Sequence, residues 1–381
     1  MAIVNWGTTA MRDRKSILVV GAGKIGATIA DLLTGSGDYD VTVVDRDQAQ
    51  LDALDAALPV ARVRLDIAED GALDRLLAKT FAVLSAAPYH LTMRIAEAAA
   101  RAGVHYLDLT EDVASTRRVR ELAADAKSAF IPQCGLAPGF ISIVAHDLAR
   151  RFDTLDSVRM RVGALPQYPS NALNYNLTWS TDGVINEYCE PCEAIVEGEL
   201  VEVPALEERE EFSLDGVTYE AFNTSGGLGT LCETLKGRVR TLNYRTIRYP
   251  GHCAIMKALL NDLGLRHRRE LFKDILESAL PTTLQDVVVI FVTVSGRRGG
   301  RLVQETYANK IYSARVNGIT RSAIQITTAS GICAVLDMLA TGELPRRGFV
   351  RQEDIALDAF LANRFGRAYG QPAPQPYSAA A

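Results

Sequence analysis

The sequence has no excess of positive charge: its 381 residues carry a net −5, so nothing builds the basic field that draws phosphate backbones or acidic lipids. Nucleic acid and membrane surfaces are therefore not expected as partners. No apolar run approaches the ~20 residues that cross a bilayer. Residues 1–15 lack the apolar centre of a secretory signal; they are expected to form a loose extension, and a cytoplasmic location follows as the expectation. Cysteine is sparse, six in all, and only Cys189 and Cys192 form a Cys-x-x-Cys. A zinc site would need a second pair or histidines at ligand spacing, and a redox pair would sit at a helix start in a thioredoxin-like unit. Neither context is present, so the thiols read as reduced and no metal is expected. Internal repeats are absent, and small proline-rich texture is confined to residues 371–381, expected to be a disordered tail.

What the chain does have is interior. Hydrophobic residues make up 48% and charged residues 23%, the balance of a globular protein, and the length calls for two domains. In the first third, short apolar runs at residues 17–20, 41–44, 61–65, 81–84, 104–107 and 129–133 are separated by stretches with helical spacing. That alternation predicts an α/β fold: a Rossmann-type, doubly wound parallel sheet over residues 16–140. Beyond it, residues 157–164, 239–249, 286–295 and 304–313 read as strands with fewer helices between them. They predict an α+β domain on a mixed sheet over residues 141–324. Residues 325–370 look helical, and either domain could hold them.

Gly21, Ala22, Gly23, Lys24, Ile25 and Gly26 form a Gly-x-Gly-x-x-Gly turn that follows a strand, opens a helix and precedes an acid, Asp45, at the end of the second strand. Gly21 permits the tight turn, Gly23 lets backbone amides approach a pyrophosphate, and Gly26 lets the helix lie on the sheet. The helix N-terminus favours the anion. A carboxylate at Asp45 can hold a ribose diol and repels a 2′-phosphate, which points to NAD; Arg46 beside it could instead partner a phosphate. Asp66 and Ile67 end the third strand, where adenine is expected. Ser85, Ala86, Ala87 and Pro88 end the fourth, with room for the nicotinamide ribose, because ligands collect at the carboxyl ends of parallel strands.

Past the fifth strand come Asp108, Glu111 and Asp112, carboxylates placed to meet a cationic substrate or to accept a proton. Asp112 also reads as a helix cap. In the second domain Arg248 offers a planar fork for a substrate carboxylate, and His252 could exchange protons near neutral pH. Residues 225–230, rich in glycine, could approach a ligand or simply turn.

The glycine turn, the Tyr106-to-Glu111 segment, the Gly135-to-Gly139 turn and the Thr246-to-His252 segment together resemble the saccharopine dehydrogenase-like family, over residues 16–370. Residues 157–176 and 222–227 are most similar to the lysine 6-dehydrogenases within it. The resemblance implies NAD-dependent oxidative deamination of L-lysine at the ε-carbon, giving allysine (which cyclises to Δ1-piperideine-6-carboxylate), ammonia and NADH. It implies a cleft between domains and a homodimer. Arg248 occupies the position whose arginine contacts a substrate carboxylate in saccharopine reductases, and Tyr249, Asn223 and Thr224 are expected beside it. Those enzymes often carry an aspartate where this chain has Ala137. Glu111 or Asp108, with His252 as rival, would take the proton from the reacting amine. A saccharopine- or carboxynorspermidine-type reductase is the alternative enzyme, for which Arg159, Arg161 or Arg321 could hold a second acid. A non-catalytic NAD sensor is the alternative of another class.

Overall fold

The computed structural model describes residues 14–370. Most of the expected extension and all of the expected tail therefore lie outside the described residues. Six strands, β1 Lys15–Val20, β2 Tyr39–Asp45, β3 Ala61–Arg64, β4 Ala82–Ser85, β5 His105–Asp108 and β6 Ala129–Ile131, line up in parallel. The central strands are short and largely apolar because helices cover both faces, whereas β3 at the edge carries Arg62 and Arg64 and is mostly exposed. Ile17, Val19, Val43 and Leu84 face one layer, while Leu18, Val20, Val83 and Tyr106 face Ile95, Ala99 and Val119 in the other. The strand order β3-β2-β1-β4-β5-β6 reverses direction at β1, and the crevice for a ligand opens at that switch point.

The second sheet is mixed. β7 Thr154–Pro166, β8 Cys192–Val196, β9 Glu199–Val203, β10 Glu210–Leu214, β11 Val217–Asn223, β12 Val239–Arg248, β13 Asp286–Arg298 and β14 Arg301–Tyr312 belong to it, in the main order β10-β11-β12-β7-β13-β14. β12 runs parallel to β7, and the other neighbours are antiparallel. Val158, Met160, Val162, Val288, Ile290 and Val292 point inward to the helices. Leu165, Tyr219, Ile247 and Val289 point outward, where β10 folds across and stacks Phe212 on Phe291 at 5.2 Å. A small hairpin of β15 Ala314–Val316 and β16 Ile319–Arg321 follows.

The chain then returns. The helix Ala323–Thr341 opens on a capping box in which the Ser322 hydroxyl accepts from the Gln325 amide and the Gln325 side chain accepts from the Ser322 amide. Asp286, fully buried, adds acceptors for the amides of Ala323 and Ile324. By length and composition this helix could cross a membrane, a correction to the expectation that no stretch comes close. Its apolarity serves packing instead: 17 of its 19 residues are buried, and it lies against the helix Lys24–Ser36 and against β13. Beyond it β17, Gly348–Phe349, pairs in parallel with β6 as the seventh strand of the first sheet.

Candidate active site

The glycine turn is shaped as a cradle. Gly21 adopts φ +104°, and a Cβ there would meet the Ala86 carbonyl oxygen at 2.6 Å; one at Gly26 would meet the Gly21 carbonyl oxygen at 1.8 Å. At Gly23 a Cβ would meet nothing within 4 Å, so open space stands where a pyrophosphate would approach the amides that begin the helix Lys24–Ser36. These residues fit a dinucleotide. Asp45 braces the turn, accepting from the Ala22 amide at 2.8 Å and the Asp47 amide at 2.9 Å. Arg46, Arg64 and Asp66 line one cleft of about 650 Å³ at the ends of β2 and β3, while Ile67 is buried under it. Lys24 is exposed and Ile25 half-buried. On the other side of the turn, Ser85 is buried, the Ala86 amide donates to the Val20 carbonyl, and Ala87 and Pro88 lead into a short turn.

Beyond β5 the three carboxylates have separate fates. Asp108 is buried and accepts from the Tyr106 hydroxyl at 2.7 Å and from the amides of Gln133 and Thr110 at 2.8 and 3.1 Å. Burial pushes it up to about 6 against those donors, but its acceptors are spent on holding the loops after β5 and β6. Its expected role as proton acceptor is corrected to that of a fastener. Asp112 caps the helix Val113–Ala124 through the Ser115 amide at 2.7 Å. Glu111, between them, is given no such partner; its own amide is the donor beside its carboxylate, and burial with Asp112 and Asp108 nearby pushes it up to about 7. A Cβ on Gly226, at φ +87°, would lie 2.8 Å from the Glu111 Cβ. The glycine loop of the second domain thus leans on Glu111, which only a residue without a side chain permits.

Across that junction stands Arg248, at the end of β12 and 3% exposed. Its Nε donates to the Tyr188 hydroxyl at 2.9 Å, one Nη donates to the Ile247 carbonyl, and the guanidinium lies 5.0 Å from the centre of the Tyr175 ring. The second Nη has no acceptor among the described residues. His252 completes a relay: Nε2 meets the Tyr188 hydroxyl at 3.0 Å and Nδ1 meets the Leu173 carbonyl at 2.8 Å. Both ring nitrogens are occupied, and burial beside the Arg248 charge lowers the imidazole to about 3. The expectation that His252 exchanges protons is corrected: the ring stays neutral and positions Tyr188 and, through it, Arg248.

Strand alternation divides the residues expected beside Arg248. Thr224 shares its face, with its hydroxyl 2.7 Å from that of Thr246. Asn223 pairs in register with Arg245, whose guanidinium binds Glu208 and Glu210 on the opposite face. Tyr249 also turns outward, donating to the Pro166 carbonyl at 2.9 Å and stacking with Tyr219. Asn223 and Tyr249 are therefore corrected out of the group around Arg248, because neighbours in sequence on a strand point to opposite faces.

One functional residue escaped the sequence reading. Glu187, on the helix Thr181–Cys189, is 8% exposed, and no described residue donates to its carboxylate. Burial pushes it up to about 8, Arg248 draws it down and Glu111 raises it again. Its backbone carbonyl accepts from the Ser225 amide at 3.0 Å, so it stands behind the same glycine loop that leans on Glu111. All six cysteines are buried, unpaired thiols, Cys189 and Cys192 among them.

Residues 17–131 match the saccharopine dehydrogenase NADP binding domain, and residues 135–365 match the saccharopine dehydrogenase C-terminal domain. Saccharopine dehydrogenase [NADP(+), L-glutamate-forming] of Saccharomyces cerevisiae is 27% identical over 177 residues, 45% of this chain and 40% of that protein. The mitochondrial alpha-aminoadipic semialdehyde synthase of Bos taurus is 24% identical over 318 residues, 79% of this chain and 34% of that protein. The matched stretch thus spans well under two thirds of these relatives. A solved apo structure of the Saccharomyces cerevisiae saccharopine dehydrogenase (L-Glu forming) superposes with a TM-score of 0.75 at 18% identity, covering 91% of this chain and 97% of that one. The likeness extends over both domains of the fold.

Proposed function

The chain belongs to the saccharopine dehydrogenase family, and from that premise we propose that it is an NAD-dependent amino-acid dehydrogenase that oxidises L-lysine at the ε-carbon. The observation that carries this reading is the junction itself: Arg248, buried and with an open N–H edge, ends β12 on the second domain, and Glu111, with no ion-pair partner among the described residues, lies against the glycine loop of that same domain. A lysine molecule supplies the complement, a carboxylate for Arg248 and an ε-ammonium for Glu111.

Each side chain then has a task. Arg248, held by Tyr188 and His252, fixes the substrate carboxylate. Glu111, raised toward neutrality by burial, takes the proton from the ε-ammonium, because hydride leaves Cε only once the nitrogen lone pair can form the imine. The nicotinamide, when bound, supplies the hydride acceptor. Closing the crease excludes water while hydride leaves; water then enters, adds to the imine carbon and releases ammonia and the aldehyde. Asp45 is the support for NAD, since its charge opposes a 2′-phosphate. A homodimer through the second domain belongs to the same reading, supported by the exposed Leu302 and Tyr312 on the edge strand β14.

A two-substrate reductase of the saccharopine or carboxynorspermidine type would need a second cation for a second acid. Arg161 is tied to Glu210 between Phe212 and Phe291, Arg321 is paired with Asp31, and Arg159 lies exposed on the outer face of β7. None joins Arg248, which favours the single-substrate amine oxidation. The test is absorbance of NADH with lysine as sole added substrate. Steady formation is expected; a requirement for an added keto acid or aldehyde overturns the reading in favour of the reductase.

A further inference from the structure

Glu187 has no use in the chemistry above, yet it is a carboxyl only 8% exposed. A carboxylate buried this deeply is ordinarily paired or supplied with donors. Here the neighbouring cation is Arg248, and its partners are a tyrosine hydroxyl, a backbone carbonyl and an aromatic ring rather than the acid. No described lysine or arginine forms an ion pair with Glu187, and no described amide or hydroxyl donates to it. The helix that carries it is fixed: the Ser180 hydroxyl caps it at the Gly183 amide, and Gly183 leaves room for the Trp179 ring, which a Cβ there would meet at 2.3 Å. Glu187 is therefore held unpartnered beside an arginine that is also incompletely partnered.

Two opposite charges that stand near one another without pairing leave a place for a molecule that carries both signs. The zwitterionic head of an α-amino acid is such a molecule, with carboxylate and ammonium on one carbon. We infer that Glu187 receives the α-ammonium of an amino-acid substrate whose carboxylate Arg248 holds, so that the pair selects α-amino acids over acids or ω-amines of the same length. The inference rests on the proposed amino-acid dehydrogenase reading, and it assigns Glu111 and Glu187 to different ends of the substrate. Glu111 lies on the first domain's loop beyond β5, on the side of the nicotinamide site, and Glu187 on the second domain beside Arg248. A carboxylate–ammonium contact made in such a site is a charge-assisted hydrogen bond, and its loss is expected to cost roughly tenfold or more in affinity.

The test uses ligands that cannot react at an ε-amine. The NAD-loaded protein is titrated calorimetrically with L-norleucine and with hexanoate, which share the carbon chain and the carboxylate and differ by the α-ammonium. The wild-type protein should bind norleucine at least tenfold more tightly. Glu187→Gln should abolish that preference and leave hexanoate binding unchanged, whereas Arg248→Lys should weaken both. Thermal unfolding of each variant shows whether it is folded; should Glu187→Gln fail to fold, Glu187→Asp takes its place with a reduced preference expected. Equal weakening of both ligands by the Glu187 variant, no change in either, or a wild-type protein that binds the two alike or not at all overturns the inference. A protein that shows this selectivity and yet forms no NADH with lysine would retain the subsite and lose the proposed reaction.

Discussion

Glu111 acquires its character from what surrounds it more than from its sequence neighbours. Asp108 and Asp112 on either side are supplied with donors by amides and a phenol, whereas Glu111, among the described residues, has its own amide and the bare face of Gly226 beside it. With its carboxyl pushed up to about 7, the fraction able to accept a proton grows as pH rises through that value. kcat/KM for lysine should therefore climb from pH 6 to 8 and level off above, and Glu111→Gln should flatten the climb while lowering kcat by roughly 10²–10⁴-fold. The same shift has a consequence for stability. A carboxyl whose folded value lies above its unfolded one opposes folding once it must ionise, a penalty absent at low pH that grows through pH 5–7. Glu111→Gln should thus raise the stability of the unliganded protein at pH 8, by on the order of 1 kcal/mol after solvent screening, with no gain at pH 4. A variant that loses both activity and stability at pH 8 would mark Glu111 as structural. At the other end of the site, Asp45→Ser removes one carboxylate beside the 650 Å³ cleft that Arg46 and Arg64 line together with Asp47, Asp66 and Glu69; steady-state kinetics should show preference moving from NAD toward NADP by at least about tenfold.

Elements decide which side chains meet, and here the limits of the sequence are physical. β1, the glycine turn and the helix after it are legible because their signal is local: an apolar run, three glycines at fixed spacing and an acid after the next strand. Asp112 as a cap is local too. The faces of Asn223 and Tyr249 depend on the register of β11 against β12, which is a tertiary property, and a reading by nearness in sequence to Arg248 places them wrongly. The hairpins β8–β9 and β10–β11 are polar on one side and short, so their periodicity is weak. Glu187 was invisible for a related reason: its nine-residue helix is buried nearly all round, so no apolar stripe announces it, and an acid among Asn186, Tyr188 and Cys189 looks like any exposed residue. The helix Ala323–Thr341, by contrast, is long enough to be read, yet its start depends on Asp286, 37 residues before Ala323. Asp286→Ala removes acceptors from two buried amides, and a loss of about 2 kcal/mol is expected, read as a lower urea midpoint with unchanged slope.

At the scale of the molecule, the crease is held by a segment outside the candidate site. After β17 joins the first sheet, Gln352 donates to the Pro132 carbonyl at 2.8 Å and to Cys134 Sγ at 3.3 Å, bracing the loop beyond β6. Its neighbour Glu353, 2% exposed, accepts from the hydroxyls of Thr230 and Thr234, at the end of the glycine loop that leans on Glu111. Two adjacent residues from the returning chain thus clamp the first domain to the second. Removing the Glu353 carboxylate leaves two hydroxyls and no acceptor, so Glu353→Ala should destabilise the protein by about 2–3 kcal/mol, measurable in urea. Its functional effect should be directional. The loop over Glu111 and Glu187 loses its anchor, whereas the turn at residues 21–26 keeps all of its contacts, so KM for the amine should rise several-fold while KM for NAD stays within about twofold. A parallel rise in both constants would show that residues 352–353 support the fold as a whole, and that the crease does not depend on them for its shape.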